Sequence, residues 1–116
     1  MHEMSIAMNI IELASAAAQA ECADSISGIE LEIGDLAGVM VESLEFCFEA
    51  AAKGTLAEDA CLKIVVIPGE AKCMNCQSTS PVNSYGSQCP QCGEWLLNIT
   101  KGRDLRIRAI TINDER

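Results

Sequence analysis

Four cysteines stand in two pairs, Cys73-Met74-Asn75-Cys76 and Cys89-Pro90-Gln91-Cys92, with twelve residues between the pairs. Two intervening residues let both sulfurs of a pair face one ion. Two such knuckles complete a tetrahedral four-thiolate site with no position left open for a substrate. Gly93 follows the second pair directly and suits the tight turn that aims backbone N–H groups at sulfur. The spacing points to zinc, although the same sulfurs are also compatible with two disulfides or a rubredoxin-like iron site. A closed site of this kind holds structure and turns nothing over.

A different donor set lies at the start of the chain. His2 is the sole histidine and follows Met1. A bulky second residue disfavours removal of the initiator, so the expected terminus is Met1-His2-Glu3. The Met1 α-amine and the His2 amide nitrogen can close a five-membered chelate ring, and that amide with His2 Nδ1 a six-membered one. Three nitrogens in a plane suit Ni(II) or Cu(II), whereas Zn(II) has no such preference. Glu3 offers a fourth donor through its carboxylate or its amide nitrogen. Binding requires deprotonation and should weaken below the imidazole pKa of about 6.5. Taken alone, a histidine at position two reads as an inert terminal residue.

The elements that must position these groups follow from periodicity. Residues 4–23 predict a helix, with Ser5, Asn9, Glu12 and Gln19 on one side and Ile6, Ile10, Leu13 and Ala17 on the other. Ile29-Glu30-Leu31-Glu32-Ile33 alternates strictly, as a strand with one buried face does. A second helix is expected over 39–53, burying Met40, Leu44, Cys47, Phe48 and Ala51 and stopping at Gly54. Residues 62–67 are β-branched and mostly apolar and read as a central strand. The cysteine segment shows no periodicity. The last strand spans 105–112, and its apolar face switches around Ala109, the mark of a bulge or an edge position.

This order predicts an α+β fold: a three-stranded sheet covered by two helices, with an inserted four-cysteine zinc-ribbon module between the second and third strands. The expected domains are 1–70 plus 100–116 and, as the insert, 71–99. Met4 and Met8 read as packing residues. Cys22, Cys47 and Cys61 read as small hydrophobes or partly exposed thiols, not ligands.

Charge narrows the function classes. The net charge is −9, and residues 1–52 carry ten acidic side chains with no Lys or Arg. The twelve residues from Gln77 to Gln88 are uncharged. A zinc ribbon that binds nucleic acid needs basic residues near its knuckles, and they are missing here. The acidic surface favours cations or a basic protein face. No cationic leader and no membrane-length apolar run is visible. Seven cysteines, an odd number, suit a reducing cytoplasm. Apart from His2 there is no nucleophile–base pair, phosphate loop or paired-carboxylate motif, so an enzyme is not expected.

Met1-His2-Glu3, Gly34-Asp35-Leu36-Ala37-Gly38-Val39, Leu44-Glu45-Phe46-Cys47-Phe48-Glu49, the four spaced cysteines and Gly102-Arg103-Asp104-Leu105 together resemble the HypA/HybF family. These are accessory proteins for nickel insertion into [NiFe] hydrogenases. The resemblance implies a nickel-binding α/β domain, a zinc module, a GTPase partner of the HypB type and delivery of Ni(II) to the hydrogenase large subunit precursor. It leaves open a link to urease maturation proteins. By position, His2 is the nickel ligand with backbone nitrogens nearby, Cys73, Cys76, Cys89 and Cys92 hold structural zinc, and Glu3 affects nickel binding or docking. Val41 departs from the proline of many members. The second histidine that some members have near the zinc module is missing. The competing class is a zinc-ribbon adaptor for protein or nucleic acid. The inserted topology permits exchange of a strand or module between chains, and so a homodimer, without fixing the oligomeric state.

Overall fold

The computed structural model describes residues 3–113, and Met1 and His2 lie outside them. Eight elements follow in order: α1 (Glu3–Ala20), β1 (Ser25–Gly34), α2 (Val41–Ala52), β2 (Cys61–Ile67), β3 (Gly69–Lys72), β4 (Thr79–Val82), β5 (Asn98–Lys101) and β6 (Leu105–Asn113). The expected α+β fold forms, with two helices and a three-stranded sheet in the order β2-β1-β6. A second small sheet, β4-β3-β5, occupies the insert. Among the described residues no helix is long and apolar enough to cross a membrane.

The chain divides into two compact units. One takes the chain through Leu31, Val39–Ile64 and the chain from Ile107; the other takes Glu32–Gly38 and Val65–Arg106. The cysteine-bearing unit is therefore wider than 71–99. Its small sheet needs β3 and β5, which extend to Gly69 and Lys101, and its core recruits Leu36.

In the first unit, α1 buries Glu3, Ala7, Ile10, Ile11, Ala14 and Ala18. This face is rotated from the expected stripe of Ile6, Ile10, Leu13 and Ala17. Leu13, Met4 and Met8 are exposed, which corrects the packing role expected of the two methionines. Small residues at 7, 14 and 18 let α1 approach its neighbours closely, and this outweighs the larger apolar area available on its flanks. The helix closes in a Schellman turn. The Ala23 N–H donates to the Ala18 carbonyl at 3.0 Å and the Cys22 N–H to the Gln19 carbonyl at 3.0 Å, with Cys22 left-handed at φ 58°. α2 buries Leu44, Phe48 and Ala52 and leaves Met40 exposed at its N-cap, so Met40 is not in the buried stripe.

β1 buries Ile29, Leu31 and Ile33 alternately, as its sequence predicts. It also holds the centre of the sheet, which corrects the central place expected of β2. β2 lies at an edge, and its residues are at most half-buried. Glu30 reaches both neighbours from β1, meeting Lys63 of β2 at 3.2 Å and Arg108 of β6 at 3.7 Å. The burial alternation of β6 breaks at Arg108-Ala109, as expected of the edge strand it is.

In the second unit β3 pairs antiparallel with both β4 and β5, and the β5 register is broken by a bulge at Glu70-Ala71. Pro81 is tolerated because β4 is an edge. Three backbone segments cross closely here. The Gly34 N–H donates to the Asp104 carbonyl at 2.8 Å, the Asp35 N–H to Ile67 at 2.8 Å and the Leu36 N–H to Gly102 at 2.7 Å. A Cβ on Gly34 would overlap the Gly102 backbone, and one on Gly102 would fall 2.6 Å from the Gly69 Cα. Gly34→Ala should therefore destabilise this unit by about 3 kcal/mol through forced backbone displacement. Urea denaturation checks this, and a variant within 0.5 kcal/mol of wild type, on the order of an ordinary surface change, would show that the crossing is not tight.

Candidate metal centre

The two knuckles fold the same way. In the first, the Gln77 N–H donates to the Cys73 carbonyl at 2.9 Å and the Cys73 N–H to the Ser78 carbonyl at 2.8 Å. In the second, the Gly93 N–H donates to the Cys89 carbonyl at 2.8 Å and the Cys89 N–H to the Glu94 carbonyl at 2.7 Å. Each turn needs a left-handed residue four places after its first cysteine. Gly93 supplies it at φ 81°, as its type predicts, and Gln77 adopts it at φ 68°. Amides then point at sulfur: Cys76 N–H to Cys73 Sγ at 3.5 Å and Gln91 N–H to Cys89 Sγ at 3.4 Å.

The tertiary fold brings the pairs together. All four sulfurs lie within 4.8 Å of one another. Cys73 Sγ stands 3.5 Å from Cys92 Sγ, and Cys76 Sγ 3.7 Å from Cys89 Sγ. A tetrahedral ion with Zn–S bonds of about 2.3 Å requires sulfur separations of about 3.8 Å, so the donor set fits such an ion. All seven cysteines are free thiols, which does not match the two-disulfide alternative. Cys73 and Cys89 are buried with Leu36, Ala71, Val82, Leu96 and Ile99, while Cys76 and Cys92 face outward. Half of the ligand set is thus part of the hydrophobic core.

Ser78 was not singled out by sequence reasoning, because nothing in its spacing marks a ligand partner. Its Oγ lies 3.0 Å from Cys76 Sγ and 3.4 Å from Cys89 Sγ. That hydroxyl is the main cause that brings the Cys89 thiol down to about 6, against the opposing effect of burial. It also lowers Cys76. For Cys73 the Cys76 amide pulls downward, but burial and the neighbouring thiols outweigh it and push the group up to about 11. A divalent ion held by Cys73, Cys76, Cys89 and Cys92 would remove this inequality by favouring the thiolate at all four sulfurs. Among the described residues Cys22, Cys47 and Cys61 do not join the cluster.

Of the terminal donors, His2 and Met1 fall outside the described residues. Glu3 is 9% exposed. Its Oε2 accepts the Met40 N–H at 3.4 Å and its Oε1 accepts the Ser43 hydroxyl at 3.4 Å. Met40 is the N-cap of α2 and makes no side-chain cap of its own. The Glu3 carboxylate therefore sits at the start of α2, bonded to the amide of the N-cap residue and to a first-turn hydroxyl, where the helix N-terminus favours negative charge.

The family model described as "Hydrogenase/urease nickel incorporation, metallochaperone, hypA" matches residues 1–112. The chain is 48% identical over 112 residues to the hydrogenase maturation factor HypA of Chlorobium phaeobacteroides (strain BS1), covering 97% of this chain and 99% of that protein. It is 45% identical to the factor of the same name from Azotobacter chroococcum mcd 1 over the same shares. The solution structure of the Ni metallochaperone HypA from Helicobacter pylori superimposes with a TM-score of 0.73 at 27% identity, covering 99% of this chain and 100% of that one. The chain belongs to the HypA family of hydrogenase/urease nickel-incorporation metallochaperones.

Proposed function

We propose that this chain carries Ni(II) in the cytoplasm to the large subunit precursor of a [NiFe] hydrogenase, together with a GTPase partner of the HypB type, and catalyses no reaction. The observation that supports this most is the family match, which begins at residue 1 and runs through both cysteine pairs. Ni(II) is cargo. His2 Nδ1, the His2 amide nitrogen and the Met1 α-amine bind it.

Glu3 divides its roles. Its carboxylate is engaged at the start of α2, so its contribution to the ion is the amide nitrogen, and its side chain anchors the tip that carries His2. Few side chains then hold the cargo, and incoming ligands can displace them one at a time. A second assignment places zinc at Cys73, Cys76, Cys89 and Cys92. Zinc would supply there the charge that lets four thiolates, two of them buried in the core, share one ion. Planar nitrogens at the tip and tetrahedral sulfur in the other unit keep the two ions apart.

Three outcomes test this reading. His2→Ala, or one extra residue placed before Met1, should weaken Ni(II) binding by calorimetry at least about 100-fold while zinc content stays at one per chain. Equal uptake by either variant removes the terminal site. Glu3→Gln should retain nickel within a few-fold yet lower the unfolding free energy by about 1 kcal/mol, since the start of α2 loses that charge. A nickel loss beyond about tenfold, on the order of 1.4 kcal/mol of binding, would instead assign the carboxylate to the ion. Chelation at neutral pH, or Cys73→Ser, should release one zinc per chain and abolish amide protection in β3–β5. Intact protection without metal would make the sulfur site dispensable.

A further inference from the structure

The four sulfurs of the cysteine cluster divide by exposure, and the division crosses the knuckles. Cys73 and Cys89 are buried among Leu36, Ala71, Val82, Leu96 and Ile99, whereas Cys76 and Cys92 face outward. Each outward sulfur lies against a buried one from the opposite knuckle. Cys92 Sγ stands 3.5 Å from Cys73 Sγ, and Cys76 Sγ 3.7 Å from Cys89 Sγ. An S–S bond is about 2.05 Å long, so closing either pair moves each sulfur by about 0.8 Å. Reversible thiol oxidation needs this arrangement: an accessible thiolate that takes up oxygen, and a sheltered thiolate at contact distance that resolves it. All seven cysteines are free thiols, so the structure holds the reduced form.

We propose that the cluster is a peroxide-sensitive site, in which Cys92 and Cys76 are oxidised and Cys73 and Cys89 resolve them into two bridges between the knuckles. This rests on the zinc assignment above and is independent of the nickel reading. The Cys92 thiolate attacks one oxygen of hydrogen peroxide. An S–O bond forms, the O–O bond breaks, and the departing hydroxide takes a proton to become water. The sulfur gives up two electrons and the peroxide gains them. The Cys73 thiolate then attacks the Cys92 sulfur, the S–S bond forms, and a second hydroxide leaves and is protonated to water. Cys76 and Cys89 repeat the sequence with a second peroxide. Each bridge thus consumes one peroxide and two protons and yields two waters. Zn(II) leaves unchanged in charge, because a disulfide offers no thiolate to hold it.

The pairing decides what oxidation does to the fold. A bridge within Cys73–Cys76 or Cys89–Cys92 joins residues that their own turn already holds, and it leaves the knuckles free to separate. Bridges from Cys73 to Cys92 and from Cys76 to Cys89 tie one knuckle to the other and take over the crosslink assigned to zinc. The oxidised module therefore gives up its ion and keeps β3, β4 and β5 together.

The test uses the full chain, isolated with zinc under reducing conditions and then freed of reductant. Hydrogen peroxide is added in steps, and free zinc is followed with a metallochromic dye. One zinc should leave for every two peroxide molecules consumed, while free thiols fall from seven to three. Peptide mapping of the acid-quenched, alkylated product should find Cys73 joined to Cys92 and Cys76 joined to Cys89. Amide protection in β3–β5 should persist in this oxidised form, whereas removing zinc from the reduced chain abolishes it. A dithiol reductant with added zinc should restore all seven thiols and the bound ion. Bridges confined to Cys73–Cys76 and Cys89–Cys92, or bridges between chains, overturn the proposal. Oxidation of Cys22, Cys47 or Cys61 with the cluster still holding zinc overturns it too. A reduced chain that carries no zinc when isolated overturns the zinc assignment, and the proposal with it.

Discussion

Two sulfurs buried in a hydrocarbon core set the terms for half of this molecule. Cys73 and Cys89 lie among Leu36, Ala71, Val82, Leu96 and Ile99, and their knuckles bring Cys76 and Cys92 to the same point. As thiolates the four would repel one another, and a divalent cation at their centre would turn that repulsion into a crosslink. β3, β4 and β5 are four residues each, too short to stand as a sheet without help. The close crossing of Gly34, Gly69 and Gly102 supplies part of that help, and such a crosslink would supply the rest.

The other unit solves an opposite problem. A terminal segment ordinarily frays, yet Glu3 is buried and its carboxylate reaches a helix that begins 38 positions later, at Val41. The carboxylate takes up the Met40 amide just ahead of α2 and the Ser43 hydroxyl in its first turn, and it gives the start of α1 a fixed neighbour. In the carrier reading this is a compromise between hold and release: the anchor is a side chain that stays with the protein, while the donors are backbone nitrogens and one imidazole. A sulfur cage could not make that compromise, because a closed set of four ligands leaves no vacancy for ligand exchange.

Charge gives the two helices a common character. α1 and α2 carry glutamates and no basic residue, whereas the cations of the sheet are taken up by Glu30 and Glu32. The helical surface is consequently an uncompensated anionic field, hostile to phosphate backbones and open to basic protein surfaces.

Much of this was legible before folding. The knuckles were, because two-residue spacing within each pair is a local property of the chain. So was β1, whose strict alternation is also local, and so was the fold class. Other features came from contacts that no short window contains. The buried face of α1 shifted because Ala7, Ala14 and Ala18 carry little hydrophobic contrast, and close packing decided the matter against Met4, Met8 and Leu13. β2 reads as apolar as any central strand, but only pairing partners assign an edge. The three strands of the insert, Ser78 against two sulfurs, and Glu3 against Met40 and Ser43 all depend on residues brought together by the fold. The chain's own order thus determined which four sulfurs could share one ion and where two helices and three strands lie. The tertiary structure decided which thiols are buried, which carboxylate is already engaged and which helix face remains open, because burial and hydrogen bonding are properties of neighbours distant in sequence.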